Sequence, residues 1–231
     1  MYSREIDGEE YTFGVSGKLI MNVLVMYDRQ TGSLWSQIRG DAVEGPLEGA
    51  SLTFLPSWMT TWEDWKSRHP DTLALEKGYS GNNDPYRSYY QSGQTGVIGE
   101  ARRDDRLYAK EFVIGVDLDG KQVAFPYSKL NDEPVLNYFV GDVPVLVVFN
   151  TRTGTGVVFD RRHEGQLLTF ESRGDLSMVD RETGTTWDAL TGMATEGTLA
   201  GGTLERLKST ASFWFGWKDW FLESEIYGIG E

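Results

Sequence analysis

The sequence predicts a mainly β protein made of two related β lobes that arose by internal duplication, each ending in a short tryptophan-bearing helix. Residues 26–66 recur at 178–218 at a constant offset of 152, with 18 identities that include Asp28/Asp180, Gly32/Gly184, Trp35/Trp187, Trp62/Trp214 and Trp65/Trp217. A repeat of that length sets the architecture before any local reading does. The chain also holds 27 glycines among many β-branched and aromatic residues, the composition of short strands joined by tight turns. Asp-x-x-Thr-Gly and Asp-Gly turn signals recur along it.

Taken in order, Tyr2, Arg4, Gly8, Thr12 and Phe13 match Phe159, Arg161, Gly165, Thr169 and Phe170 at an offset of 157, so the first copy carries a five-residue insertion around Gly14-Val15-Ser16-Gly17. Leu19 to Tyr27 reads as one strand. Asp28-Arg29-Gln30-Thr31-Gly32 then turns into a strand bearing Trp35, with glycine where positive φ is needed and the aspartate capping the turn. Thr60 with Glu63 three positions on has capping-box spacing for a helix that carries Trp62 and Trp65 and stops at Pro70 after His69.

Residues 1–75 thus form a first, partial module. A connection over 76–105 follows, rich in glycine and in tyrosines 79, 86, 89 and 90; that aromatic content predicts an ordered loop lying over a lobe. Residues 106–231 form the complete second module. Its strands are expected at Phe112 to Val116, Gln122 to Phe125, Val143 to Phe149 and Thr155 to Phe159, with a hairpin at Asp119-Gly120. Asp180 to Gly184 repeats the first turn, and Ser212 to Trp220 repeats the helix. The first module has no counterpart of Leu107 to Val158, as though it began in mid-module.

Phe13-Gly14-Val15-Ser16-Gly17-Lys18-Leu19, Leu24 to Arg29, Ser33-Leu34-Trp35-Ser36-Gln37, the Trp62/Trp65 pair, His69-Pro70-Asp71-Thr72 and Phe213-Trp214-Phe215 together resemble an uncharacterised prokaryotic family, domain-of-unknown-function family 3179. The resemblance covers nearly the whole chain. It implies an exported or lipid-anchored protein with tandem modules, whose first copy usually opens with a half-module carrying a Tyr-Cys-Pro-Leu-Cys-Gly segment. Here that half-module is missing, and the matching stretch of the second copy, Val147 to Gly154, has no thiol.

The chain has no cysteine and only two histidines, which removes disulfides, thiolate chemistry and an all-protein zinc site from consideration; no cofactor is called for. A net charge of −13 argues against a nucleic-acid partner, which needs a basic face. No apolar run approaches the ~18 residues of a membrane span. With the resemblance, this suggests an extracytoplasmic protein (periplasm, cell surface or secreted) whose signal segment lies outside the given sequence.

Candidate ligand-binding residues are those that only one copy carries. Ser16, Asn22, Tyr27, Ser36 and Gln37 could form a polar pocket, and His69 could act as a base; each also has a structural reading, in turns, backbone satisfaction or a helix end. Gly14-Val15-Ser16-Gly17 is one residue short of a nucleophile elbow and lies beside strand sequence, not before a helix. The six repeated tryptophans are expected in the core, leaving Trp58 and Trp220 for the surface. No set of nucleophile, base and orienter emerges. The expected function is therefore a non-catalytic binding or assembly protein of the cell envelope or exterior, its first module completed by a partner or second copy through strand addition. The alternative is a hydrolase or lyase acting on a small polar or carbohydrate ligand in the first module.

Overall fold

A computed structural model describes residues 1–76, 86–174 and 176–230; Tyr79 lies outside them. The protein is mainly β, as the repeat and turn patterns predict. A short hairpin of β1 (Glu5–Ile6) and β2 (Glu9–Glu10) leads into a four-stranded antiparallel sheet in the order β3 (Phe13–Ile20), β4 (Val23–Asp28), β5 (Leu34–Ser36) and β6 (Ala42–Glu44). Helix α1 (Trp62–Arg68) follows, then α2 (Arg87–Gln91) within the connection.

The second part opens with β7 (Phe112–Leu118), β8 (Lys121–Pro126) and helix α3 (Tyr127–Asp132). Strands β9 (Val135–Val140), β10 (Val143–Asn150) and β11 (Thr155–Asp160) make a three-stranded antiparallel sheet. After the small hairpin β12 (Arg162–His163) and β13 (Gln166–Leu167) comes a second four-stranded sheet of β14 (Phe170–Gly174), β15 (Ser177–Asp180), β16 (Thr186–Asp188) and β17 (Ala194–Glu196). The chain ends with β18 (Thr210–Phe213), helix α4 (Trp214–Trp220) and β19 (Glu225–Ile226). These complete a last sheet in the order β18, β7, β8, β19, whose final pair is parallel.

The two four-stranded sheets share strand order and side-chain bonding. Asp28 accepts hydrogen bonds from the Thr31 amide (2.6 Å) and from the Trp35 indole (2.9 Å); Asp180 accepts from Thr183 (2.6 Å) and Trp187 (2.9 Å) in the same way. The isolated bridges Tyr2–Phe54 and Asp41–Ser51 likewise match Phe159–Arg206 and Met193–Thr203. The arginines do not pair with those aspartates: Arg29 donates to the Phe13 carbonyl, and Arg181 pairs with Glu171 at 2.6 Å.

Two expectations need correction. The stretch Leu19 to Tyr27 is a hairpin, not one strand: Met21 and Asn22 both take left-handed conformations (φ 49° and 63°), the pair of positive φ values that a two-residue hairpin turn requires. The β-branched and apolar residues on either side masked that turn, which has no glycine. The α1 cap is Thr61, whose hydroxyl accepts from the Asp64 amide at 3.2 Å; Thr60 instead donates to the Asp64 carboxylate at 3.0 Å.

The core is unevenly divided. Around the second four-stranded sheet, Leu146, Val148, Phe159, Phe170, Met178 and Trp187 are buried between it and the β9–β11 sheet. Around the first, the buried cluster is smaller, Trp35, Ala42 and Leu52, while Phe13 and Met26, the matches of Phe170 and Met178, are half-buried. Each module also packs on the other: Ile38 and Val23 join the Trp214/Trp217 cluster, and Trp58 joins the Trp187 cluster.

Candidate functional site

The two helix-turn units are built alike. In α4 the Trp217 indole donates to Ser224 Oγ at 2.8 Å, and Phe221 lies over the Trp217 ring with centroids 4.2 Å apart. In α1 the Trp65 indole donates to Thr72 Oγ1 at 3.0 Å, and His69 lies over Trp65 at 4.1 Å. Phe221 and His69 are both helix C-caps, with the cap amide donating to the tryptophan carbonyl. His69 thus fills the place of an aromatic ring, which is why phenylalanine serves in the other copy.

Their surroundings differ. Trp214 and Trp217 are buried, Trp217 against Gly115 of β7 so closely that a Cβ there would lie 2.2 Å from the indole. Strand β18 leads into α4 along β7, and β19 leaves it along β8. The matching residues 58–61 and 73–74 around α1 belong to no strand. Trp62, the match of buried Trp214, is 54 % exposed, and Leu73 and Leu75 are 95 % and 85 % exposed, with Met59 and Leu55 also open. Trp65 is half-buried by Trp58, which meets it edge-on at 6.2 Å and lies under the Arg68 and Arg206 guanidiniums. Burial lowers the pKa of Arg206 to about 10. The expectation of six core tryptophans therefore fails at Trp62, and the two assigned to the surface, Trp58 and Trp220, are partly buried. The sequence signal for this face was the repeat offset itself, which sets Leu73 and Ala74 against Glu225 and Ile226 of β19.

The six polar candidates fall into three places. Ser16 and Ser36 flank Val25 on opposite neighbours of β4: Ser16 Oγ donates to the Val25 carbonyl at 2.6 Å and accepts from the Lys18 amide, while buried Ser36 accepts from the Arg39 amide at 3.4 Å. Exposed Gln37 donates its amide to the Leu24 carbonyl at 3.3 Å. Tyr27 is half-buried on the same sheet, its ring over Gly14, with Arg29 5.6 Å above it. Asn22 lies at the hairpin tip and holds the connection: its side chain donates to the Gly99 carbonyl and accepts from the Ile98 amide at 3.0 Å. His69 is exposed at the end of α1. None of the six lines any of the clefts described next.

A cleft of about 410 Å³ is lined by Tyr2, Phe13, Met26, Arg29 and Leu52, on the side where the second module has its β9–β11 sheet. Burial, helped by Asp41, raises the Tyr2 hydroxyl to about 12. A larger cleft of about 980 Å³ lies between residues 102–106 and 222–230, but its charges are largely matched. Arg106 pairs with Asp104 at 2.7 Å, a bond that lowers the Asp104 pKa, and Arg103 pairs with Asp105 at 2.9 Å. Buried Lys218 meets Glu100 at 3.0 Å and Asp219 at 3.1 Å. A third cleft of about 490 Å³ holds Arg68, Asn150 and Arg152. There the Asn150 side-chain oxygen accepts from the Arg152 amide while its nitrogen is buried without a hydrogen-bond partner, and Arg68 Nε lies 3.4 Å from the Asp64 carboxylate. Among the described residues no three His, Cys, Asp or Glu side chains group as a metal site, and no helix is long and apolar enough to cross a membrane.

The connection lies over both modules. Lys110 donates to the Tyr89 and Ser92 carbonyls, Tyr89 and Tyr90 meet Phe213, and Asp219 of α4 accepts the Ala101 amide at 2.7 Å.

The family described as Protein of unknown function (DUF3179) matches residues 1–224. No curated protein and no solved structure matches the chain.

Proposed function

The chain belongs to the DUF3179 family of proteins of unknown function, and from that premise we propose that it is a non-catalytic binding or assembly protein of the cell envelope or exterior. The observation that carries this reading is the contrast between Trp214, fully buried, and its match Trp62, 54 % exposed. The same helix-turn unit is core in one module and surface in the other. Exposed apolar area of this kind, continued by Leu73, Leu75 and Met59, is characteristic of an interaction surface. The open cleft over Phe13 and Met26 points the same way. The exterior placement rests on the resemblance to a family of exported and lipid-anchored proteins.

The hydrolase or lyase alternative draws less support, because Ser16 and Ser36 are engaged with backbone groups and His69 sits on a separate element. Sedimentation velocity tests the binding reading. The isolated chain is expected to self-associate through its open apolar face, and a W62S/L73S/L75S variant to remain monomeric with unchanged circular dichroism. A wild-type chain that sediments as a monodisperse monomer overturns it.

A further inference from the structure

We propose that a pocket at the seam between the two modules, floored by Ile38, Trp217 and Phe221, binds a small α-amino acid with an apolar side chain, its carboxylate on Lys208 and its ammonium on Asp117. This goes beyond the partner surface above and does not rest on it. The walls are the turn after β5, strand β7, the approach to β18 and the end of α4, so the pocket lies beside the covered helix and not the open one. Its volume of about 200 Å³ is that of about six or seven waters, the size of a compact amino acid and not of a peptide. An apolar floor with a few convergent polar groups is the usual build of a small-molecule site.

The charges around the floor select the ligand. Lys208 is half-buried, and of the three donors an ammonium carries it uses one, in the 2.8 Å bond to the Arg39 carbonyl. Among the described residues no carboxylate pairs with it, whereas Lys218 on α4 is held by both Glu100 and Asp219. Burial lowers the Lys208 pKa, and Asp41 and Asp117 act on it through space in the opposite sense. Asp41 is committed on both oxygens, to Ser51 at 3.0 Å and to Arg39 at 2.8 Å. Asp117 accepts from Gln122 at 2.7 Å through one oxygen and keeps the other open. The Ser209 and Thr210 hydroxyls on the same wall also have no protein partner among the described residues. With Arg39 and Asp41 cancelling, the pocket offers one open cation and one open carboxylate. A simple anion would leave Asp117 opposed, and a simple cation would leave Lys208 opposed. A zwitterion satisfies both, and its apolar side chain rests on Ile38, Trp217 and Phe221.

Calorimetric titration of the full chain with L-valine tests this, with valinamide, which lacks the carboxylate, and 3-methylbutanoate, which lacks the ammonium, as controls. L-valine is expected to bind saturably at one site. Each control is expected to bind at least about tenfold more weakly, the loss that one charge-assisted hydrogen bond brings. Because these ligands are compared on the wild-type chain, the folding of a variant is not at issue. Lys208→Met keeps the buried stem and is expected to abolish the preference for L-valine over valinamide. Asp117→Asn is expected to abolish the preference over 3-methylbutanoate, and a merely structural role for either residue would move neither preference. The proposal is overturned if L-valine does not bind saturably, if the controls bind as tightly, or if both preferences survive in the two variants.

Discussion

Asp28 shows how much a single side chain carries in this fold. Its buried carboxylate accepts from the Thr31 amide and hydroxyl and from the Trp35 indole, closing the turn and orienting the central tryptophan of the sheet. Burial pushes its pKa up, but the bonds from Trp35, Thr31 and Gly32 outweigh burial and leave it lowered. A lowered folded value means that the stabilisation is fully present above the unfolded carboxyl's pKa of ~3.9 and is lost as the pH falls through the folded value. Asp28→Asn is expected to cost about 2 kcal/mol at neutral pH, since charge-assisted acceptance becomes neutral. Urea unfolding checks this, and the gap between variant and wild type should shrink when the measurement is repeated at low pH. The Asp and Trp could be read from the repeat, but the bond between them needed the register that sets Met26 opposite Trp35.

At the scale of the element, the helix-turn unit is a fixed part used in two settings. Trp, an aromatic ring four residues on and a hydroxyl seven residues on recur as Trp65/His69/Thr72 and Trp217/Phe221/Ser224. What distinguishes α4 is the sheet beneath it, where Gly115 lets Trp217 lie flat on β7. Gly115→Ala forces a Cβ into the indole, which is itself locked by Ser224 and Phe221, so a loss of about 3 kcal/mol is expected. Gly156→Ala meets first the Cδ1 end of Ile114, which can rotate, and should cost clearly less. Thermal unfolding of the two variants side by side decides whether the Trp217 contact is as rigid as the geometry implies. The paired tryptophans of each helix were plain in the sequence, whereas the exposure of Trp62 was not, because repetition alone gives both copies the same expected burial.

Across the whole molecule, the modules are tied by a few directed contacts as well as by shared core. Arg206 donates to the Ser57 carbonyl at 3.0 Å and Lys208 to the Arg39 carbonyl at 2.8 Å. The connection adds two more ties close together near its C-terminal end, Asn22 to Ile98 and Gly99 and Asp219 to Ala101 and Arg102. Asp219 is buried beside Lys218, so Asp219→Ala removes an acceptor from two amides and leaves the lysine with Glu100 alone; a loss of about 3 kcal/mol is expected. Hydrogen exchange should then quicken at residues 98–102 before it does in β7 or β8, and uniform quickening would contradict the view that Asp219 anchors the connection.

By itself the sequence determined the β class, the paired turns and helices, and the unequal content of the two modules, because these depend on local turn chemistry and on matches along the chain. It could not place the Met21-Asn22 turn, where residues without glycine adopt positive φ only because the flanking strands pair around them. Nor could it tell which tryptophans are covered, since burial depends on a neighbour supplied from elsewhere in the chain. Only the tertiary structure decided that α4 has such a neighbour in β7 and β8 while α1 has none among the described residues. The same residues are therefore core in one module and surface in the other.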